Sequence, residues 1–184
     1  MKDFWRQYRG VTRIFGIYWS AYGGQRALLC SPYIHISCVL AFLSAWHPFS
    51  KKTEAFYDLG LVILPSMLGF TLAGIAILMA FGDSTFLECL CGTRPDEDND
   101  HSPLVSHAAN YVHFLVTQGI TLVFSIFSKS LAWNFFFFNF IGYFGLYYSV
   151  FLCIATVISV FRMVRHYDRF KANNLSRKQA DTDD

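Results

Sequence analysis

Charge-free apolar stretches alternate with short charged fences along this chain, and that alternation sets the first reading. One stretch covers residues 27–46, between Arg26 and the group His47, Pro48, Lys51 and Lys52. The cleanest covers 59–81, with Asp58 and Asp83 at its ends and no charge inside. A third, 111–128, is more polar and closes at Lys129. The last apolar run, 131–161, is longer than one crossing needs, which places its span near 139–161 and leaves Trp133, Phe135, Phe136, Phe137 and Phe138 as an aromatic belt at the lipid boundary. A helix needs about 20 mostly apolar residues to cross a hydrocarbon core of about 30 Å, with every backbone polar group satisfied inside the segment. All four stretches approach that length, so the pattern predicts an all-α membrane protein with four transmembrane helices.

The first 24 residues follow a different period. Phe4, Tyr8, Val11, Phe15, Tyr18 and Tyr22 recur at helical steps on one face, while Arg6, Arg9 and Arg13 gather on the other. Such a helix lies in the membrane surface, its aromatic face sunk into the headgroup boundary and its arginines binding anionic lipid. Gly23 and Gly24 supply the bend into the first span. The expected organisation is an interfacial amphipathic helix over 1–24, a four-helix transmembrane domain over 25–163 with a loop at 82–110, and a basic then acidic tail over 164–184.

Composition agrees with lipid as the solvent. Of 184 residues, 54% are hydrophobic, 18% aromatic and only 15% charged, against roughly 25% charged in an ordinary soluble domain. The net charge of +2 says little, but its distribution says more. Twelve of the fifteen Lys and Arg residues fall in the N-terminal arm, the 82–110 loop and the tail, leaving Lys51, Lys52 and Lys129 for the opposite side. The positive-inside rule then predicts both termini cytoplasmic and an even number of crossings. The N-terminus does not read as a cleavable signal peptide.

Two spans carry faces of small side chains, which let helix backbones approach in lipid. In the second these are Ser66, Gly69, Ala73, Ala76 and Ala80; in the fourth, Gly142, Gly145 and Ser149, followed by Cys153 and Thr156. Both read as packing seams, within one subunit or between subunits of a homo-oligomer. The third span differs, because Asn110, His113, Thr117, Thr121, Ser125 and Ser128 share one sector with Gln118 at its edge. That stripe either lines a water-filled path, or its hydroxyls bond back to their own helix while His113 and Gln118 find partners across the bundle. No Asp, Glu, Lys or Arg lies inside a span, which counts against a charge-coupled transporter.

The 82–110 loop carries six acidic residues against Arg94 alone, so it and the basic tail are the expected contact points for a cytosolic protein partner. Cys89, Cys91, His101 and His107 depart from the usual spacing of structural zinc ligands, and no metal or other cofactor is expected. Walker loops, HExxH helices and nucleophile elbows are missing too, and Asp58 and Asp83 sit at opposite faces, too far apart for acid–base work. The reading is non-enzymatic, with no direct nucleic-acid binding.

One further pattern bears on function. The segment Leu64-Pro65-Ser66-Met67-Leu68-Gly69-Phe70-Thr71-Leu72-Ala73-Gly74, continuing to Ala80-Phe81-Gly82-Asp83, resembles small multi-pass membrane proteins of bacterial anti-phage defence systems. Among these it is most similar to the transmembrane effector encoded beside retron reverse transcriptases, and next to the membrane subunit of the Kiwa system. The resemblance implies a protein kept silent by a partner until infection, then disturbing the inner membrane or relaying an alarm; it carries over no functional residue. The expected function is an oligomeric effector of membrane permeability, the alternative a sensor or scaffold that recruits a cytosolic partner without conducting.

Overall fold

The computed structural model describes residues 2–46, 55–81, 103–131 and 135–183, which are helical apart from short joints and include no strand. Six helices follow in order: α1 (Lys2–Tyr22), α2 (Gly24–Leu29), α3 (Pro32–Trp46), α4 (Phe56–Phe81), α5 (Pro103–Leu131) and α6 (Phe136–Asp183). Three of them, α4, α5 and α6, contain segments long and apolar enough to cross a membrane. The chain is on that ground a membrane protein.

The first apolar stretch departs from the expected single span. Gly23 and Gly24 both take positive φ, 98° and 64°, and turn the chain out of α1 into the six-residue α2. That short helix stops at Cys30, and α3 starts afresh at Pro32. Proline has no N–H to give and its ring clashes with the carbonyl four residues back, so a helix begins at it more easily than it passes through it. What remains is an apolar helix of 15 residues, about 22 Å long at 1.5 Å per residue. Pro103 likewise opens α5, so the last eight residues of the predicted loop are helical. The acidic residues, Cys89, Cys91 and His101 of that loop, together with Lys51, Lys52 and Trp133, lie outside the described residues.

Helices α3 to α6 form an up–down–up–down bundle, with α6 in contact with the other three. Near the end of α3, Ser44 Oγ and the Tyr147 hydroxyl are 2.9 Å apart and Trp46 meets Phe136 at the start of α6, which makes this pair antiparallel. Antiparallel packing of α4 on α5 brings Lys129 Nζ to 2.8 Å from Asp58 Oδ1 in an exposed ion pair. Phe56, at the start of α4, is buried with Ala41 and Tyr143, and Phe124, Phe140 and Tyr147 pack around them. A second cluster, Phe114, Tyr148 and Leu152, fills the other half of the bundle beside Tyr33, Ile34 and Met67.

Large apolar side chains also cover the outside. Val62 is 74% exposed, Phe70 70% and Val123 66%, a surface that would aggregate in water and suits contact with acyl chains. On α1, Arg9 and Arg13 are exposed, and so are Val11, Ile14 and Phe15 on its apolar side.

Candidate functional site

The polar sector of α5 faces the other helices, α6, α1 and α4, rather than the outside. Gln118 and Ser128 are fully buried, Ser125, Thr121 and His113 nearly so, and Thr117 half-buried, whereas Asn110 is exposed at the start of the row. Local chemistry explains how so polar a face tolerates burial. Thr117 Oγ1 donates to the His113 carbonyl at 2.8 Å, Thr121 Oγ1 to the Thr117 carbonyl at 2.8 Å, and Ser125 Oγ to the Thr121 carbonyl at 2.9 Å. Each of these three hydroxyls thus satisfies itself on the preceding turn of its own helix.

Small side chains on α6 let that neighbour come close. Gly142 lies directly beneath the Phe56 ring, and a Cβ placed on Gly145 would stand 2.7 Å from Thr121 Oγ1. Ser149 is fully buried in the same row. Gly60 of α4 closes the other flank, where a Cβ would come to 2.6 Å from Ser125 Oγ. Sequence reasoning did not single out Gly60, because it stands outside the row of small residues on its helix.

His113 collects partners from two other helices. The Tyr18 hydroxyl lies 2.6 Å from its Nδ1 and the Tyr148 hydroxyl 2.9 Å from its Nε2. A neutral imidazole has one donor and one acceptor nitrogen, so one tyrosine donates to it and the other accepts from it. The Tyr22 ring stacks on the imidazole at 4.1 Å between centroids, 20° from parallel. Burial, with Tyr22 close by, pushes the Tyr18 hydroxyl up to about 12, and burial raises Tyr22 as well. Both stay protonated at physiological pH, which keeps hydrogen-bonding hydroxyls at the joint between α1 and α5. The aromatic face of α1 is therefore split: Tyr18 is buried against α5, while Phe15 is exposed. Helical spacing finds that face, but it does not tell which half of it another helix covers.

Gln118 is, with Ser128, an exception in the stripe. Neither atom of its amide has a hydrogen-bond partner among the described residues, and the same holds for the hydroxyls of Ser149, Ser128 and Tyr111. Ser149 adjoins Tyr148, the partner of His113, so its unpartnered hydroxyl lies on the part of α6 that meets α5.

The small-residue row of α4 has a different fate. Ser66, Gly69, Ala73 and Ala76 are exposed on the outside of the bundle, and a Cβ on Gly69 would meet nothing within 4 Å. The side chains of Ala80 and Arg6 lie outside the described residues. Among the described residues no group of three or more His, Cys, Asp or Glu side chains could hold a metal ion, and His107 instead pairs its Nδ1 with Ser159 Oγ at 3.0 Å. The chain matches no family model, no curated protein and no solved structure.

Proposed function

We propose that this protein is a self-assembling effector of the bacterial inner membrane that rests as a closed bundle and, when triggered, opens the α5–α6 seam to let small solutes leak. The observation that carries the reading is the fully buried Gln118 amide with no hydrogen-bond partner among the described residues, in a bundle where the fully buried Ser149 hydroxyl of α6 is unpartnered as well. Leaving a buried polar group unsatisfied costs about 1–3 kcal/mol, and the cost is relieved when the helices part and water enters. A closed state carrying that penalty is easier to tip into an open one than a fully satisfied core. The exposed small-residue row of α4 supports assembly, because close backbone approach between copies needs such a face and none of the described residues covers it. In this reading α3 makes the fourth crossing with help from α2, both termini are cytoplasmic, and the trigger is infection, as the resemblance of residues 64–74 to defence proteins implies.

The test is membrane potential. Induced expression in bacterial cells, read with a potential-sensitive dye, should depolarise them, and replacing Thr117 and Thr121 with Leu should silence the effect without removing the protein from the membrane. Normal potential under strong expression of the wild type in infected cells removes the reading.

A second reading, a scaffold that recruits a cytosolic protein without conducting, draws on α6. This helix runs on to Asp183 past the end of the apolar run, with Arg162, Arg165, Arg169 and Lys171 exposed along it. Neutralising Arg165, Arg169 and Lys171 should abolish recruitment if the scaffold reading is right, and leave depolarisation intact if the leak reading is right.

A further inference from the structure

At the end of the bundle where α5 begins, the helices do not close completely. A cavity of about 320 Å³ opens between the α2–α3 joint, the first turns of α5 and the end of the apolar part of α6. Its polar wall is formed by Ser31, His107, Asn110, Ser159 and Arg162, and among the described residues no carboxylate lines it. Among the described residues no acidic side chain pairs with Arg162. Ser31 and Tyr33, which also line the cavity, stand at the N-terminus of α3, where the positive end of the helix dipole adds to the guanidinium charge. Among the described residues this wall offers one cation, several neutral hydrogen-bonding groups and no anion, a setting that suits a negatively charged group.

The opposite wall supplies the rest of the ligand's character. Leu152, Ala155 and Ile158 line it, and Ile158 is 42% exposed, so the apolar side of the cavity continues onto the outer surface of the bundle. Depth points the same way. Arg162 is the first charge after the apolar run 131–161, and Asn110 immediately precedes the third apolar stretch, which sets the cavity where acyl chains give way to headgroups. We propose that this cavity binds the phosphate of an anionic phospholipid, with the phosphate against Arg162, Asn110 and Ser31 and an acyl chain along Ile158. Tyr22 also lines the cavity and stacks on His113, so an occupied site would brace the joint between α1 and the bundle. The inference rests on the membrane setting alone and does not need the seam to conduct.

The experiment uses the full chain purified in dodecyl maltoside, a detergent without phosphate. Dioctanoyl phosphatidic acid, dioctanoyl phosphatidylglycerol and inorganic phosphate are titrated separately, with binding read by native mass spectrometry and by the shift in unfolding temperature. One lipid per chain is expected, with affinity weakened about tenfold or more by Arg162→Gln, the usual scale of a lost charge-assisted contact. Arg169→Gln, which removes an exposed cation that does not line the cavity, should bind as the wild type does. Stabilisation by inorganic phosphate with the same dependence on Arg162 keeps the phosphate chemistry and assigns the site to a free anion. Equal binding by the wild type and Arg162→Gln, or an equal loss in Arg169→Gln, overturns the proposal, since general surface charge then explains it.

Discussion

Along α6, Gly142 and Gly145 sit so close to Phe56 and Thr121 that a single methyl group would not fit, whereas along α4, Gly69 faces open space and the small side chains around it are exposed. The two rows look alike in sequence. On α6, the absence of side chains is what lets α4 and α5 reach the bundle's central helix, and the packing is irreplaceable. On α4 the same absence leaves a smooth strip that none of the described residues packs against. Small residues in a lipid-facing helix license close approach but do not choose the partner.

Substitutions that add bulk to each row separate the two cases most sharply. Gly142→Leu drives a side chain into the buried Phe56 ring, and overpacking of that kind costs about 3 kcal/mol or more, because ring and backbone must both shift. Thermal unfolding followed by circular dichroism in detergent should show a large drop or no cooperative transition; an unchanged midpoint would mean that the seam is looser than described. Gln118→Leu should act in the opposite direction. It replaces an unpartnered buried amide with an apolar side chain of similar size, and stability should rise by about 1–3 kcal/mol. A loss of stability there would show that the amide has a partner in the working protein.

Within the polar half of the seam the expected change is smaller. Tyr18→Phe removes one hydrogen bond to His113 and leaves the ring in place, a loss of about 0.5–1.5 kcal/mol. It should loosen α1 from α5, seen as faster amide exchange in α1. The wild-type joint has its own pH signature. Because the folded Tyr18 hydroxyl is raised from 10.0 to about 12, the unfolded chain holds fewer protons in that window, so stability present below pH 10 is lost as pH rises towards 12. Trp19 fluorescence across that range should report the change, and Tyr18→Phe should flatten it. The smallest effect on the single bundle belongs to Gly69→Leu, within about 0.5 kcal/mol as for other exposed positions. The same change should nevertheless abolish self-association in chemical cross-linking; cross-links that survive it would detach α4 from assembly.

What the residues foretold follows the same division. Charges at Asp58 and Asp83 frame α4, and the helix runs from Phe56 to Phe81 as that framing implies. Hydropathy finds α5 and the apolar part of α6 for the same reason, since lipid tolerates few charges and the chain shows where they stop. The break before Pro32 was visible as a proline near the start of an apolar run, but hydropathy does not distinguish a proline that starts a helix from one that bends it. The polar stripe from His113 to Ser128 was legible as one sector, because helical geometry alone sets it. Its partners were not. Tyr18 lies 95 positions from His113, and nothing in the period of α1 says that Tyr18 turns inward while Phe15 does not. The cavity beside Arg162 depends on three separate segments meeting, which no local pattern encodes.

The length of α6 has a mechanical consequence. Its 48 residues form one unbroken rod, about 72 Å from end to end at 1.5 Å per residue, more than twice the thickness of a hydrocarbon core of about 30 Å. A rod with no joint cannot absorb a pull or twist at its far end. A twist applied to the tail near Arg169 and Lys171 would therefore reach the row Gly142, Gly145 and Ser149, and turning that row by a fraction of a helical turn would unseat Thr121 from the glycine that makes room for it.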